Sequence, residues 1–578
     1  MVPTDQLQEV KIMLHGTAAS EGIGIGKVML IEEHSLEYTP RTVTDTEAES
    51  QRFKAAVDAF CYNTEKQAEN LRSSAGEKEA EILAGHIQII KDPYLSGEIE
   101  KLIADGQCAE SALEHMCDMF IAMFSAADDE LTKQRAADVR DIKSGVLGIL
   151  LGVNEIKVSD APKGTVLVAR ELTPSVTAGI VKENIAGIIT ETGGTTSHSA
   201  ILARALEIPA VLSVEGVASS LKSGDTVVVD GSEGAVIVNP DDNTVAEYSK
   251  KRDAFLAERK ELENYRGRET KSASGEVYEL FCNIGKPEDA VKAVDADGEG
   301  VGLFRTEFLF MDRTSIPTED EQFEAYKKAA LILKGKSLII RTLDIGGDKD
   351  IPYLGLEKEE NPFMGFRAIR YCLKNRELFK SQIKAILRAS AFGDIKIMFP
   401  LITTMDELRE GKKLVAECKA DLRNIGINFN ENIQVGVMVE TASAAVIADM
   451  LAKEANFFSI GTNDLTGYTM ACDRGNNDVS YLYSPLQPSV LRMIKRTIEC
   501  GVQNGISVGM CGEAAANKLM IPLLISFGLT EFSVSAPSVL NVRKIISTWT
   551  KEEADKVTAK VLEMSTQQEI VEYLKSVV

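Results

Sequence analysis

The chain of 578 residues is too long for a single hydrophobic core and is expected to hold more than one domain. Its 44% hydrophobic and 26% charged residues are typical of a globular protein, and no stretch approaches the ~20 apolar residues of a membrane span. A net charge of -23 makes nucleic acid and anionic membranes poor partners and favours a basic protein partner, although solubility alone would explain such a charge. Nine cysteines without a CxxC pair argue against a zinc site or a disulfide framework, and we find no secretory signal, so a cytoplasmic protein is expected.

The first part of the chain predicts a small α/β domain interrupted by a helical bundle. Residues 11–32 hold glycines among apolar residues and predict an early strand that joins a later domain. Residues 45–150 are almost free of proline and carry apolar residues at helical spacing, which predicts several packed helices. Residues 157–238 alternate short β-rich runs with turns. We therefore expect an α/β domain at 11–35 and 151–240 and an α-helical insert at 40–150.

The rest of the chain predicts a linker and a barrel. Residues 243–268 are highly charged with sparse apolar positions, which predicts a mostly solvated connecting helix within a linker at 241–270. Eight apolar β runs then alternate with helical stretches, which predicts a (β/α)8 barrel over 271–578, with an open doubly wound sheet as the alternative. The fold class is therefore multidomain α/β. The barrel strands are expected at 280–284, 300–304, 338–342, 395–399, 435–439, 457–460, 507–510 and 531–534.

A glycine turn followed by a histidine is the first candidate site. The segment Gly193–His198 follows an apolar β-branched run and precedes a good helix former, so His198 is expected in the first turn of a helix. Free backbone N–H groups and the helix dipole favour negative charge there, and an imidazole is a competent nucleophile near neutral pH. The pattern suits a phosphohistidine, but a helix-capping turn with an incidental histidine explains the motif equally well.

Polar residues at the ends of the predicted barrel strands form a second candidate site, because these ends converge on one face of a barrel. Arginines can hold phosphate and carboxylate, two separated carboxylates suit Mg²⁺, and a cysteine at the same mouth could donate a proton. Each residue alone has a structural explanation, and their convergence carries the argument. The set comprises Arg305, Arg341, Glu440, Asn463, Asp464, Arg474, Cys511 and Glu513.

With both sites in view, the chain closely resembles Enzyme I of the bacterial sugar phosphotransferase system, a phosphoenolpyruvate–protein phosphotransferase, over nearly its whole length. The barrel motifs are long and specific, whereas the histidine motif is shared by a wider family of phosphoenolpyruvate-using enzymes. The matching stretches are GGTTSHSAILAR (193–204), RAADVRDI (135–142), GVGLFRTEFLFMDR (300–313), RTLDIGGDK (341–349), NPFMGFRAIR (361–370), VGVMVET (435–441), FFSIGTNDLTGYTMACDRGN (457–476) and GMCGE (509–513).

The resemblance implies a role for each of these residues. His198 would be the phosphorylated residue, and Thr177 would orient its imidazole. Phosphoenolpyruvate would be bound by arginines and by the loop after the sixth barrel strand, namely by Arg305, Arg341, Asn463, Asp464 and Arg474. Glu440 and Asp464 would bind Mg²⁺, and Cys511 would be the general acid that protonates the enolate of pyruvate.

The resemblance also implies partners. The helical insert would dock a basic histidine phosphocarrier protein, and the barrel would form a homodimer interface. Phosphotransfer from phosphoenolpyruvate to the chain's own histidine, and then to the carrier, would be the first step of sugar uptake. Thr195 stands where the family usually has arginine, so the resemblance does not imply the electrostatic contact of that arginine to the phosphohistidine.

Two other functions fit parts of the sequence. A pyruvate phosphate dikinase or phosphoenolpyruvate synthase would need a nucleotide-binding domain, for which the chain has no spare length and no Walker-type loop. A regulatory phosphoprotein that binds a partner through the helical insert without turnover would not need the residues at the barrel mouth.

Overall fold

Two units make up the computed structural model of this chain, residues 1–259 and residues 260–578. Among the helices that the structure describes, none has the length and apolar character needed to cross a membrane. The described residues are 12–31, 36–74, 77–126, 130–153, 158–172, 174–177, 180–194, 197–311, 313–346, 351–357, 359–473 and 476–578.

An eight-stranded mixed sheet forms the framework of the first unit, in the spatial order 1-8-7-3-4-5-6-2. The neighbours 3-4, 4-5 and 5-6 are parallel, and the outer pairs are antiparallel. The strands are β1 (Ile12–His15), β2 (Thr17–Ser20), β3 (Ile23–Ile31), β4 (Thr165–Ala169), β5 (Ile185–Thr190), β6 (Ala210–Leu212), β7 (Thr226–Asp230) and β8 (Ala235–Val238).

The segment predicted as one early strand forms three, β1, β2 and β3. Gly16 separates β1 from β2, and a Cβ there would lie 2.4 Å from the carbonyl oxygen of Leu212. Gly22 precedes β3 with φ +117°, a conformation that favours glycine. The glycines therefore divide the segment, so that β1 and β2 occupy opposite edges of the sheet.

The central strands of this sheet are buried on both faces. Along β4, Val166 and Val168 pack into one apolar cluster, whereas Leu167 and Ala169 pack into the other. Successive side chains of a strand point to opposite faces, so a continuous apolar run is what a strand covered on both sides requires.

Between β3 and β4 the described residues form five helices: α1 (Thr46–Ser74), α2 (Glu77–Ile90), α3 (Pro93–Ala104), α4 (Ala109–Ser125) and α5 (Glu130–Leu151). Phe53, Ala56 and Phe60 repeat at helical spacing and are all buried in the core of this bundle, as predicted. Asp92 caps α3, because its carboxylate accepts hydrogen bonds from Tyr94 N at 3.0 Å and Leu95 N at 3.2 Å.

Four further helices follow β4: α6 (Pro174–Thr177), α7 (His198–Leu206), α8 (Val217–Ser220) and α9 (Asp242–Leu262). The charged helix predicted after the sheet is α9, and Thr244 and Tyr248 are its buried residues. Its remaining positions are exposed or partly exposed, as expected for a solvated helix.

The second unit contains a closed parallel barrel, which confirms the predicted fold and excludes the open sheet. The barrel is closed because its first strand pairs with both its second and its last strand. All eight strands coincide with the predicted runs to within one residue at either end. They are β9 (Glu279–Ile284), β10 (Val301–Arg305), β11 (Leu338–Arg341), β12 (Ile395–Phe399), β13 (Val435–Val439), β14 (Phe457–Ile460), β15 (Ser507–Met510) and β16 (Glu531–Val534).

Helices surround this barrel, and four of them begin with a threonine and a glutamate three residues later that cap each other. The helices are α10 (Asp289–Asp295), α11 (Phe308–Met311), α12 (Glu319–Leu333), α13 (Ala368–Lys374), α14 (Arg376–Ala389), α15 (Met405–Asn424), α16 (Ala442–Val446), α17 (Ala448–Leu451), α18 (Thr462–Met470), α19 (Pro488–Gln503), α20 (Ile521–Phe527), α21 (Val539–Thr548), α22 (Lys551–Glu563) and α23 (Gln567–Val577).

One acidic side chain, that of Glu531, is buried in β16 among the barrel strands. A Cβ on Gly302 would lie 2.5 Å from its Oε1, and one on Gly509 would lie 2.8 Å away, so both glycines leave room for the carboxyl. Oε1 has no hydrogen-bond partner among the described residues. Burial, with a smaller contribution from Glu279 and an opposing one from Lys396, raises the pKa of Glu531 to about 8.

Because Glu531 holds its proton more tightly in the folded barrel than in the unfolded chain, it should make stability fall as pH rises. The loss begins above the unfolded-state pKa of 4.5 and is complete above the folded-state pKa of about 8. In Glu531→Gln the barrel should lose this part of its pH dependence. Urea unfolding followed through Trp549, the sole tryptophan, at several pH values between about 5 and 9 would measure it.

The exposed Glu563→Gln serves as the control and should retain the wild-type slope. An unchanged slope in Glu531→Gln would show that this carboxyl does not titrate across that range in the folded chain.

Candidate active site

The carboxyl ends of the barrel strands carry most of the residues predicted for the second site. Arg305 and Arg341 are the last residues of β10 and β11, and Glu440 directly follows β13. Asn463 and Asp464 lie in the first turn of α18, after β14, and Cys511 directly follows β15. In a parallel barrel these ends form one mouth, which is where active sites of this fold lie.

Arg341 is held at this mouth by two carboxylates. Its Nη2 lies 2.7 Å from Glu307 Oε1 and its Nη1 lies 3.1 Å from Asp344 Oδ2, and all three side chains are at most 9% exposed. Burial alone would lower the pKa of the Arg341 guanidinium, but the charges of Glu307, Asp344 and Glu440 outweigh burial and raise it. Arg341 is therefore a fixed, permanently charged group.

A second buried arginine, Arg367, was not predicted as a site residue. Its Nη2 lies 2.8 Å from Asp344 Oδ1 and 3.2 Å from Asp464 Oδ2, so it joins the ends of two strands. Burial opposes its charge, but the carboxylates of Asp344 and Asp464 raise the pKa of the guanidinium. The stretch NPFMGFRAIR contains this arginine, but the residue follows an irregular segment rather than a strand, so the strand-end pattern did not find it.

The two arginines each have one buried donor that makes no hydrogen bond among the described residues. The Nε atoms of Arg341 and Arg367 have no hydrogen-bond partner among the described residues. Buried donors without partners are rare in folded proteins, and a bound ligand or water is a common explanation. The mouth therefore has unused hydrogen-bonding capacity on cationic groups, as a binding site for an anion requires.

Glu440 is the most perturbed acid of the mouth. It is 2% exposed, and its Oε1 accepts a hydrogen bond from Leu401 N at 2.6 Å. Burial, followed by repulsion from Asp464 and Asp344, raises the pKa of Glu440 to about 8, although Arg341 and Arg367 oppose the rise. Its Oε2 faces α18 across Gly461, where a Cβ would lie 2.7 Å away.

Charged side chains lie close together in the described part of the mouth. The carboxyl groups of Glu307, Asp344, Glu440 and Asp464 lie near the buried guanidiniums of Arg341 and Arg367, and Arg305 adds an exposed guanidinium. Repulsion from Asp464 and Asp344 raises the pKa of Glu440 beyond the effect of burial. A hard divalent cation would reduce this repulsion.

The donor set fits a cation that also takes ligands from its substrate. Among the described residues no group of three or more His, Cys, Asp or Glu side chains could hold a metal ion by itself. Glu440 and Asp464 supply two carboxylates, which are the oxygen ligands that Mg²⁺ prefers, and Mg²⁺ commonly completes its shell with water and substrate oxygens.

Cys511 lies in the barrel interior with its thiol protonated. The side chain is 6% exposed and packs among Leu303, Met438 and Phe457. Burial raises the pKa of the Cys511 thiol to about 12, with a smaller opposing contribution from the hydroxyl of Ser459. A thiol of this kind is a proton donor rather than a ready nucleophile.

The loop around Cys511 approaches α18 closely. Its backbone N–H donates to Ile460 O at 3.2 Å, and a Cβ on the next residue, Gly512, would lie 1.9 Å from Thr462 Oγ1. Glycine at 512 therefore permits the contact that brings Cys511 to the start of the helix carrying Asn463 and Asp464.

The remaining predicted residues of the mouth are less constrained. Arg305 is exposed, and its guanidinium lies over the ring of Phe308 at 5.1 Å. Asn463 is partly buried, and its backbone oxygen accepts a hydrogen bond from Tyr483 Oη at 3.1 Å. Glu513 begins a short turn after Cys511. Arg474 lies outside the described residues.

The first predicted site lies in the other unit. Helix α7 begins at His198, and its N-cap is Ser197, whose hydroxyl accepts a hydrogen bond from Ala200 N at 3.3 Å. Gly193 has φ +107° in the turn before the helix. The imidazole of His198 and the whole of Thr195 lie outside the part of the chain that the structure describes. Thr177 is buried at the end of α6, which packs against α7.

Three family models match the chain. The PEP-binding domain of PEP-utilising enzymes matches residues 259–550, which is half of the chain. The N-terminal domain of PEP-utilising enzymes matches residues 15–135, and their mobile domain matches residues 161–234.

Curated relatives match over almost the full length. The phosphoenolpyruvate-protein phosphotransferase of Bacillus subtilis (strain 168) is 46% identical over 570 residues, which cover 98% of this chain and 99% of the relative. Proteins of the same name from Listeria innocua and Staphylococcus carnosus are 45% and 43% identical, and each alignment covers 97% of this chain and 98% of the relative. The chain therefore belongs to the phosphoenolpyruvate-protein phosphotransferases, the Enzyme I family of PEP-utilising enzymes.

Proposed function

We propose that this chain transfers the phosphoryl group of phosphoenolpyruvate to His198 and then to a histidine phosphocarrier protein, the first step of sugar uptake by the phosphotransferase system. The observation that supports this most is the barrel mouth, where two buried arginines, whose Nε atoms have no partner among the described residues, lie among buried carboxyl groups. Phosphoenolpyruvate carries a phosphate and a carboxylate, which are the anions that arginine binds in bidentate fashion.

In this proposal the arginines bind the substrate and hold it in position. Arg341 is fixed by Glu307 and Asp344, so its side chain is ordered before the substrate arrives. Arg305, which is exposed at the rim, and Arg474 would add contacts to the phosphate, and Asn463 would contact the substrate from the start of α18. Preordered charge stabilises the transferring phosphoryl group without reorganisation during the reaction.

Enzymes of this family use a divalent metal ion. We propose Mg²⁺ here, bound by Glu440 and Asp464, because these two carboxylates repel each other and match its preference for oxygen ligands. When bound, the ion supplies positive charge to phosphate and carboxylate oxygens. Glu440 would bind it in the ionised form, and Gly461 leaves room for its Oε2 beside α18.

Cys511 would complete the reaction as the general acid. Loss of the phosphoryl group leaves the enolate of pyruvate, whose methylene carbon must gain a proton. The buried, protonated thiol at the mouth is suited to donate it.

His198 would accept the phosphoryl group and pass it on. The start of α7 offers backbone N–H groups and the positive end of the helix dipole to the phosphate, and the buried Thr177 would orient the imidazole from the adjacent α6.

We propose that the α-helical insert at 40–150 docks the carrier, which should be basic because this chain has a net charge of -23. The α/β domain at 11–35 and 151–240 would present His198, and the linker at 241–270 would join it to the phosphoenolpyruvate-binding barrel at 271–578. We place this reaction in the cytoplasm.

We also propose a homodimer through the barrel, supported by an exposed apolar patch. Met364, Val446 and Met450 are 64%, 51% and 51% exposed. Hydrogen bonds connect the segments that carry these residues, since Arg370 donates to Met364 O at 2.9 Å and to Thr403 Oγ1 at 3.3 Å, and Thr403 O accepts from Ser443 Oγ, one turn before Val446, at 2.8 Å. Exposed apolar patches of this kind mark interaction surfaces.

Replacing His198 by alanine should abolish phosphorylation of the chain by phosphoenolpyruvate. The test incubates full-length protein with Mg²⁺ and phosphoenolpyruvate labelled in its phosphate, and maps an acid-labile, base-stable phosphate by mass spectrometry. His115→Ala, at an exposed position of α4, is the control and should label like the wild type. Stoichiometric labelling of His198→Ala would refute the assignment, and labelling from ATP instead would favour a dikinase.

Replacing Cys511 by serine should slow pyruvate formation by about 10²- to 10⁴-fold, the usual contribution of a general acid. Binding of phosphoenolpyruvate should persist, because the arginines are unchanged. Rapid-quench measurement of pyruvate, with calorimetry for binding, separates the two effects. The buried Cys372→Ser is the matched control, since Cys372 is a fully buried thiol in α13. Wild-type pyruvate formation in Cys511→Ser would remove the acid role.

A further inference from the structure

We propose that Tyr468 is a positioning residue for this reaction, whose hydroxyl joins the helix that carries Asn463 and Asp464 to the segment that carries Arg367. The inference rests on the proposed function, because it assigns Tyr468 a role in assembling the phosphoenolpyruvate and metal site. Tyr468 would act through Arg367 and would not itself contact the substrate.

The hydroxyl of Tyr468 makes two hydrogen bonds to residues of that segment. It donates to the carbonyl oxygen of Phe363, and it accepts from Arg367 Nη1 at 3.3 Å. Tyr468 lies in α18 four residues after Asp464, so the two side chains lie on the same face of the helix. Burial raises the pKa of the Tyr468 phenol, so the hydroxyl remains protonated and able to donate.

The segment that Tyr468 contacts, residues 359–370, has an irregular backbone before α13 but is held by several internal hydrogen bonds. Both carboxylate oxygens of Glu359 accept from Phe366 N, at 3.1 and 2.9 Å. A Cβ on Gly365 would lie 1.9 Å from Glu359 Oε2, so a side chain there would displace this carboxylate from Phe366 N. Arg370 Nη1 donates to Met364 O and Gly365 O, both at 2.9 Å. The segment therefore has its own internal structure, which Tyr468 then fastens to α18.

Arg367 is the group whose position depends on this connection. Its Nη2 contacts Asp344 and Asp464 at the same time, and its Nε is buried without a hydrogen-bond partner. Tyr468 fixes the remaining terminal nitrogen, Nη1. With both terminal nitrogens of the guanidinium held, Arg367 in turn sets the position of Asp464, one of the two proposed metal ligands.

Tyr468→Phe removes the hydroxyl and keeps the ring. Phe363 O then loses its donor and Arg367 Nη1 loses its acceptor, so Arg367 and Asp464 should occupy a wider range of positions. Binding of substrate and metal must then order the side chains of Arg367 and Asp464, and the free energy that this ordering costs weakens the binding of both ligands. We expect the half-saturating concentrations of phosphoenolpyruvate and Mg²⁺ to rise roughly tenfold or more, the usual effect of losing hydrogen bonds to a charged group. The maximal rate should change less than about threefold, because a saturated site is already ordered.

The experiment measures single-turnover pyruvate formation by the full chain as a function of phosphoenolpyruvate and of Mg²⁺. Tyr481→Phe is the matched control, because Tyr481 is 72% exposed and its hydroxyl should be dispensable. Urea unfolding through Trp549 reports the stability of the barrel in each variant. A double-mutant cycle with Arg367→Lys tests whether Tyr468 acts through Arg367, since coupled residues give non-additive effects.

Raised half-saturation for both ligands, an unchanged unfolding midpoint and non-additivity with Arg367→Lys are the results expected. Wild-type half-saturation in Tyr468→Phe would overturn the inference. A rate that falls together with the unfolding midpoint would also overturn it, because Tyr468 would then be a packing residue. If the wild-type chain released no pyruvate, both the proposed function and the inference would fail. If the wild type released pyruvate but Tyr468→Phe had wild-type half-saturation, only the inference would fail and the proposed function would stand.

Discussion

Repulsion between carboxyl groups inside the barrel mouth is the constraint on which the proposed function depends. Burial, followed by repulsion from Asp464 and Asp344, raises the pKa of Glu440 to about 8 against the opposing charges of Arg341 and Arg367. Buried charge is costly unless it is paired. A protein that keeps this arrangement carries a site that is complete when a cation and an anion bind together, and phosphoenolpyruvate with a divalent metal is such a combination.

The fold supplies this arrangement through a few close approaches of the backbone. Strand ends bring Arg341 and Glu440 to one mouth, as the barrel topology requires. Gly461 and Gly512 then let the starts of two loops come within van der Waals reach of Glu440 and Thr462. The site therefore depends on these two glycines as well as on the charged residues. A larger residue at 461 would displace Glu440, and one at 512 would displace Thr462.

Much of the fold was predictable from the sequence, because long apolar runs at regular intervals leave few alternatives. All eight barrel strands and the helical spacing of Phe53, Ala56 and Phe60 followed from periodicity. The division of residues 11–32 into three strands did not, because it depends on glycine contacts with distant backbone. At the mouth, Arg341 and Glu440 were found at strand ends, whereas Arg367, Asp344 and Tyr468 come from irregular or helical segments. Their placement follows from tertiary hydrogen bonds, which have no local sequence period. The roles of the predicted site residues, among them His198 and Arg474, remain predictions from local pattern and family resemblance.

The most direct test of the charge argument is the position of a bound divalent ion. Crystals of the full chain grown with Mn²⁺, an oxygen-preferring substitute for Mg²⁺, and phosphoenolpyruvate would reveal the ion by its anomalous scattering. The account predicts a single strong peak within roughly 2.0–2.3 Å of carboxylate oxygens of both Glu440 and Asp464, the range for a hard divalent ion. An ion bound elsewhere, with those two carboxylates uncoordinated beside bound phosphoenolpyruvate, would contradict it.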